Sequence, residues 1–124
     1  QGTTVILVLS PWHPYLYGYL LTEPEQHKGF FLVENWLRQY CADNNVPLYG
    51  SYDPACIEGL QETDFFDGLH CGGTGIERFF PGIPQALADL ENGTLANPLD
   101  VHPRTSLDDP NAEPVDPDMN QQEG

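Results

Sequence analysis

The sequence predicts an α/β fold built on a parallel sheet. Residues 4–9, TVILVL, form a short apolar run rich in β-branched side chains, which predicts a strand buried on both faces. Residues 29–45 carry apolar side chains at helical spacing and end at a plausible stop, Asn44-Asn45. Residues 46–50, VPLYG, begin a second apolar run directly afterwards, where a β-α-β unit requires its second strand. The predicted apolar face of the helix comprises Phe30, Val33, Leu37, Tyr40 and Cys41.

Prolines limit the structure on either side of this helix. Pro11 and Pro14 lie in SPWHPYLYGY and predict an irregular loop that turns sharply just past the end of the first strand. Pro47 restricts the second run to an edge strand or to a strand that starts there. Because open parallel sheets bind ligands outside the carboxyl ends of their strands, the first loop is a candidate binding region.

Two helical pieces are predicted between positions 76 and 93. Apolar residues recur at helical spacing between positions 76 and 90, interrupted by Pro81-Gly82 and Pro84. The second piece is expected to end at Gly93.

The C-terminal region differs from the rest in composition. Residues 97–124 hold five of the twelve prolines and seven acids against one arginine. Such a segment buries too little apolar surface to offset its ordering entropy. We therefore expect one folded unit over residues 1–93 and a disordered, acidic, proline-rich tail over residues 94–124.

Composition excludes several classes of partner. A net charge of -15, from 19 acids against four basic residues, repels nucleic acid and anionic membrane surfaces. The longest apolar run, Val5 to Leu9, is far shorter than the roughly 20 residues that span a bilayer. The chain begins at Gln1 without a charged leader, so we expect it to start within a longer protein. Its three cysteines, an odd number without metal or redox spacing, leave the compartment undecided.

Candidate chemistry is concentrated in residues 64–75, DFFDGLHCGGTG. Asp67 precedes His70 by three residues, so its carboxylate can hold one imidazole nitrogen and leave the other to act as a general base. The glycines that follow allow a tight turn into a helix. The alternative is a capping aspartate beside a surface histidine, and Asp64 is expected to be an exposed turn or capping residue. A metal site built from Asp64, Asp67 and His70 lacks a further ligand, so no metal ion and no cofactor is predicted.

This motif, placed after a β-α-β unit, resembles the last conserved block of the SGNH/GDSL hydrolase superfamily. The loop LSPWHPYLY also resembles the corresponding loop of SGNH-like proteins that modify cell-envelope polysaccharides, and the likeness covers residues 4–90. The resemblance implies a flavodoxin-like three-layer α/β/α domain in which His70 is the catalytic base and Asp67 orients it. The family's Gly-Asp-Ser nucleophile motif does not occur in the sequence. The resemblance therefore implies the C-terminal half of such a domain, inactive by itself.

Two functions follow from these features. The first is an SGNH-type serine esterase or O-acyltransferase that acts on acyl esters, with a carbohydrate as the expected substrate. The second is a non-catalytic α/β scaffold or polysaccharide-binding module with a pocket formed by Trp12, His13 and Tyr15. Trp12 and His13 are the predicted substrate-binding residues, although the local sequence favours interpreting His13 as a loop histidine packed against proline. The acyl group, the acceptor and the oligomeric state are left open, and a bacterial cell-envelope or extracellular location rests on the resemblance alone.

Overall fold

The computed structural model describes residues 2–67 and 70–107 and confirms the α/β prediction. Strands β1 (Leu7–Leu9) and β2 (Leu48–Gly50) pair in parallel, with Leu7 opposite Leu48 and Leu9 opposite Gly50. Four α-helices lie within these described residues: α1 (Pro14–Leu21), α2 (Lys28–Asn44), α3 (Gly73–Ile76) and α4 (Ile83–Asn92). None of the helices in the described part of the chain has the length and apolar character needed to span a membrane.

Strand β1 is buried on one face, and the prediction of burial on both faces is wrong. Leu9 is buried, whereas Val8 is 42 % exposed. Successive side chains of a strand point to opposite faces, so only the face that carries Leu9 is covered. At the other strand, β2 begins directly after Pro47, which confirms the strand-start alternative.

Helix α1 occupies most of the segment that the prolines were expected to keep irregular, and that expectation is wrong from Pro14 onward. Pro14 is the first residue of the helix, where its fixed φ fits and its missing N–H is not needed. His13 is the N-cap residue, and its Nδ1 accepts a hydrogen bond from the backbone N–H of Tyr15 at 3.0 Å. A proline that follows a capping side chain therefore starts this helix.

The hydrophobic core lies between α1 and the first part of α2. It is formed by Tyr17, Leu20 and Leu21 of α1 and Phe31 of α2, and Trp12 packs against it. The aromatic rings meet at tilted or edge-on angles, as in the Trp12–Phe30 contact with ring centroids 4.8 Å apart. Burial raises the pKa of the Tyr17 hydroxyl well above its usual range, and this hydroxyl donates to the carbonyl oxygen of Arg104 at 2.8 Å.

Helix α2 confirms the predicted helix and its stop, but it buries a different face. Asn45 takes the left-handed conformation (φ 54°) that ends the helix. Val33 and Tyr40 of the predicted apolar face are 48 % and 46 % exposed. The buried residues are instead Phe31, Glu34 and Arg38, together with Cys41, which the predicted face had included.

A buried ion pair explains why α2 buries a face other than the predicted one. Arg38 contacts Glu34 at 2.7 Å, and both side chains are 3 % exposed. Ser51, directly after β2, donates to Glu34 at 2.8 Å, and Arg38 donates to the carbonyl oxygen of Gly50 at 2.7 Å. Buried charges persist when they are paired and hydrogen-bonded in this way. The pair therefore fixes α2 against the end of β2.

Helix α4 confirms the second of the two predicted helical pieces. The first is confirmed only in part, because α3 ends at Ile76 and Phe79 lies beyond it in a turn. Gly93, with φ 69°, ends α4 as expected. Pro84, expected to interrupt the helix, lies instead in the first turn of α4, a position that tolerates proline.

The segment from residue 94 to residue 107, assigned above to the tail, packs against the folded unit. A 3₁₀ turn at Pro98–Asp100 lies against α2, and the carbonyl oxygen of Pro98 accepts from Arg38 at 3.0 Å. Arg104 pairs with Asp53 at 2.8 Å. The rest of the expected tail, residues 108–124, lies outside the described residues.

Candidate active site

The residues of the DFFDGLHCGGTG motif form a loop whose two arms are hydrogen-bonded to each other. Phe65 and Cys71 form an isolated antiparallel bridge, and the N–H of Phe66 donates to the carbonyl oxygen of His70 at 2.8 Å. The N–H of Gly72 donates to the carbonyl oxygen of Asp64 at 2.6 Å. We call the described residues of this region, 64–67 and 70–72, the dyad loop. These bonds hold its two arms together and bring the predicted acid and histidine side by side.

Asp67 and His70 are in direct contact. Nδ1 of His70 lies 2.9 Å from each carboxylate oxygen of Asp67, and the backbone N–H of His70 also donates to Asp67 Oδ1 at 2.9 Å. The His70 and Asp67 side chains are 71 % and 58 % exposed. Because the carboxylate accepts a hydrogen bond from Nδ1–H, Nε2 is the ring nitrogen that can take a proton from a reacting group.

Asp64 anchors the dyad loop, and the expectation that it is exposed is wrong. Its side chain is 3 % exposed and accepts hydrogen bonds from the backbone N–H of Gln61 at 2.9 Å, the Thr74 hydroxyl at 2.9 Å and Arg78 at 2.7 Å. The capping part of the expectation holds, since Gln61 and Asp64 form a capping box. The Gln61 N–H, followed by Arg78, lowers the pKa of the Asp64 carboxyl.

Within the glycine run, close packing requires a glycine at position 75. A Cβ atom at Gly75 would lie 2.7 Å from the sulfur of Cys71 and 2.9 Å from Cβ of Asp64. No larger residue fits there without a shift of the loop. The start of α3 can therefore lie directly against Asp64, where Thr74 and Arg78 reach its carboxylate.

Asp64→Asn is expected to remove part of the acid sensitivity of folding. The folded pKa of Asp64 lies below the unfolded value of about 3.9, so the unfolded chain binds more protons in this range. The stabilisation from Asp64 is thus present above the unfolded value and is lost as pH falls through the folded one. Urea unfolding from about pH 6 to about pH 2.5 should show the wild-type advantage over Asp64→Asn shrinking toward acid pH.

Arg78→Met is the graded comparison for this prediction. It removes the second cause of the lowered pKa and keeps the first, the N–H of Gln61, so it should retain part of the pH dependence. A wild-type advantage over Asp64→Asn that stays constant through the acid range would contradict the assignment.

A cleft of about 410 Å³ lies beside the dyad loop, between its first residues and the start of α1. His13 and Tyr15 line it from the α1 side, and Glu62, Phe66 and Asp67 line it from the other. Phe66 is 82 % and Tyr15 53 % exposed, so two aromatic side chains are accessible to a ligand. The structure thus places the predicted residues His13 and Asp67 at one cleft.

Trp12 and His13, both predicted to bind substrate, have different surroundings. The Trp12 ring packs on Phe30 beside the core, and its backbone N–H donates to the Tyr52 carbonyl at 3.0 Å. The structure does not bring Trp12 to the cleft. His13 has an 18 % exposed side chain, and its Nε2 lies 3.1 Å from Glu62 Oε1.

The nucleophile expected from the resemblance has no counterpart among the described side chains at this site. Ser51 is completely buried against Glu34, and Ser10 follows β1 directly. Cys71 adjoins His70, but burial, with the nearby Asp64 charge, raises the pKa of its thiol, which disfavours the reactive thiolate. Cys41, Cys56 and Cys71 are free thiols. Within residues 2–67 and 70–107, no group of three His, Cys, Asp or Glu side chains could hold a metal ion.

The anchoring residues of the site were missed in the sequence. Asp64, Thr74 and Arg78 come together over 14 residues without a shared periodicity. Two features of the sequence pointed to these contacts. Gln61 and Asp64 are three residues apart, which is the spacing of a capping box, and the chain has only four basic residues. Each of the three arginines pairs with a carboxylate that is at most 3 % exposed.

Comparisons of the chain with family models, with curated proteins and with solved structures give no match. The resemblance to the SGNH/GDSL hydrolases therefore stays a prediction. The Asp67–His70 contact and the adjoining cleft are the structural features on which a function can be argued.

Proposed function

We propose that this chain is the C-terminal half of an SGNH-type, flavodoxin-like α/β/α domain and supplies the acid and base of a serine esterase or O-acyltransferase. The observation that carries the proposal is the contact of both Asp67 oxygens with Nδ1 of His70, at 2.9 Å each. This geometry selects the imidazole tautomer whose Nε2 is unprotonated, as a general base requires. The serine would belong to a segment outside this sequence.

The energetics of the pair also favour a chemical role. An ion pair as exposed as Asp67–His70 contributes about 0–1 kcal/mol to folding. The loop beneath it is instead held by Asp64, whose own side chain is 3 % exposed. Asp64 thus stabilises the loop, whereas the exposed Asp67 and His70 side chains lie where a substrate can reach them.

The reaction would proceed in two transfers of the acyl group. The serine Oγ attacks the acyl carbonyl carbon while Nε2 of His70 takes the hydroxyl proton, and Asp67 stabilises the resulting imidazolium. The ester C–O bond breaks, and the leaving alkoxide takes that proton from Nε2. Water, or a sugar hydroxyl in transfer, then repeats the sequence on the acyl-enzyme and restores the serine.

The cleft between α1 and the dyad loop is the proposed binding region for the substrate. Its aromatic side chains, Tyr15 and Phe66, offer faces on which a sugar ring or an acyl chain can pack. Asp67 lines the same cleft, so a ligand bound there would lie beside the proposed base.

A fluorophosphonate probe, which reacts with activated serines, tests this function on the full-length protein. We expect a single labelled serine N-terminal to this chain and loss of labelling in His70→Ala, because the serine then lacks its base. The control is His102→Ala, a histidine distant in sequence from the dyad loop. Equal labelling of wild type and His70→Ala, or no labelled serine at all, would contradict the proposal.

The alternative, a carbohydrate-binding module without catalysis, is favoured by one observation: two aromatic side chains of the cleft, Tyr15 and Phe66, are exposed. Under this alternative, Tyr15→Ala and Phe66→Ala weaken binding of an oligosaccharide, and wild type and His70→Ala bind it equally without turnover. Labelling of a serine that depends on His70 would decide for the enzyme.

A further inference from the structure

His13 is held between the start of α1 and the dyad loop by both of its ring nitrogens. Nδ1 accepts the N–H of Tyr15 at 3.0 Å, so the proton of the neutral ring is on Nε2. Nε2 lies 3.1 Å from Oε1 of Glu62 and donates to it. The cap of α1 therefore fixes the tautomer that makes the second bond.

The dyad loop begins where His13 makes its contacts. Glu62 lies in the 3₁₀ turn Glu62–Asp64, which leads directly into the loop. The His13 ring also packs edge-on against Phe65, with centroids 5.2 Å apart. Phe65 in turn forms the bridge to Cys71, the residue after His70.

The dyad loop is attached to the rest of the fold at two places. On one side, Asp64 ties the loop to α3 through Thr74 and Arg78. On the other, His13 ties it to α1 and thus to the loop that leaves β1. Both attachments act on the short arms that hold Asp67 and His70 together.

We propose that His13 is a positioning residue, which sets the orientation of the Asp67–His70 pair through Glu62 and Phe65, and that it acts in this way rather than through the substrate contact predicted from the sequence. The inference rests on the proposed function for its kinetic consequence. Its structural content, the coupling of His13 to the tautomer of His70, stands independently of catalysis.

The His13–Glu62 contact should affect the position of the Asp67–His70 pair more than the stability of the fold. The His13 and Glu62 side chains are 18 % and 39 % exposed, and such a pair contributes about 0–1 kcal/mol to folding. A displacement of about 1 Å at a catalytic group can lower turnover by roughly 100-fold. Loss of the His13–Glu62 bond should therefore affect kcat much more than the melting temperature.

Three variants of the full-length protein test the inference. His13→Asn keeps a side-chain acceptor for the N-cap but is too short to reach Glu62. Glu62→Ala removes the acceptor, and Glu62→Gln keeps an oxygen in its place. The matched control is His27→Asn, the same exchange at the N-cap of α2, where the side chain makes no capping bond.

We expect His13→Asn and Glu62→Ala to lower kcat by roughly 10- to 100-fold with KM changed less than about twofold. Glu62→Gln should recover most of the kcat that Glu62→Ala loses, and the control His27→Asn should retain wild-type kcat. The ¹⁵N NMR shifts of the His70 ring should show Nδ1 protonated in wild type, Glu62→Gln and His27→Asn. In His13→Asn and Glu62→Ala they should move toward a mixture of tautomers.

Two outcomes overturn the inference. One is an unchanged kcat and unchanged His70 ring shifts in both His13→Asn and Glu62→Ala. The other is a change confined to KM, which would return His13 to the role of a substrate contact. Failure of the proposed function is distinct from both, since His70→Ala would then be as active as wild type while the NMR comparison still reports the coupling.

Discussion

Asp67→Asn is expected to lower kcat of the full-length protein by roughly 10⁴-fold through a change of tautomer at His70. The asparagine oxygen can still accept the backbone N–H of His70, which Asp67 Oδ1 accepts at 2.9 Å. The amide nitrogen then faces Nδ1 as a donor, so Nδ1 must be the unprotonated nitrogen. The proton of the ring moves to Nε2, which can no longer act as a base.

The same substitution should change thermal stability little. Both side chains of the pair are more than half exposed, and such a contact contributes about 0–1 kcal/mol. The buried bonds of Asp64 to Gln61 and Arg78 are untouched and keep the loop closed. Loss of activity without loss of fold is therefore the expected result.

Steady-state kinetics with an aryl acetate, together with thermal unfolding by circular dichroism, measure both quantities. The matched control is Asp43→Asn, an exposed aspartate on α2 that accepts from Gln39 at 2.9 Å. It should leave kcat and the melting temperature at wild-type values. If Asp67→Asn lowered kcat by less than about tenfold, Asp67 would not be part of the proposed catalytic pair.

Local sequence signals predicted the β1–α2–β2 unit, the ends of two helices and the contact at the candidate site. The left-handed Asn45 that ends α2 and the Gly93 that ends α4 were readable because a helix stop depends on one or two residues. The contact of Asp67 with His70 was readable because the two side chains are three residues apart. Each of these features is set within a single turn of the chain.

Features that depend on tertiary pairing were not readable. Apolar spacing assigned Val33 and Tyr40 to the buried face of α2, but Glu34 and Arg38 are buried there because Ser51 and the Gly50 carbonyl complete their hydrogen bonds. Those partners come from a strand end that periodicity within the helix does not report. The prediction of an irregular segment after β1 was wrong for a different reason. Proline is compatible with the first position of a helix, and here the capping side chain of His13 precedes it.

The Arg104–Asp53 ion pair joins residues 94–107 of the expected tail to the folded unit, and its loss gives the largest expected effect on stability. Asp53→Ala should destabilise the protein by about 3–5 kcal/mol, because it leaves the Arg104 guanidinium without its partner in a largely buried site. Asp53 is completely buried and accepts from Arg104 Nε at 2.9 Å and from Nη2 at 2.8 Å. It also accepts the backbone N–H groups of Ala55 and Arg104, both at 2.9 Å.

Urea unfolding measures this loss, and amide hydrogen exchange locates it. The exposed Asp43→Ala should change the unfolding free energy by less than about 0.5 kcal/mol. In Asp53→Ala the Arg104 N–H loses its acceptor, so its exchange should accelerate more than that of amides within α2. If Asp53→Ala were as stable as Asp43→Ala, the segment from 94 to 107 would not be fastened by this pair. Removing both charges in Asp53→Ala/Arg104→Met should recover part of the loss, because the unpaired cation, rather than the missing contact, accounts for much of it.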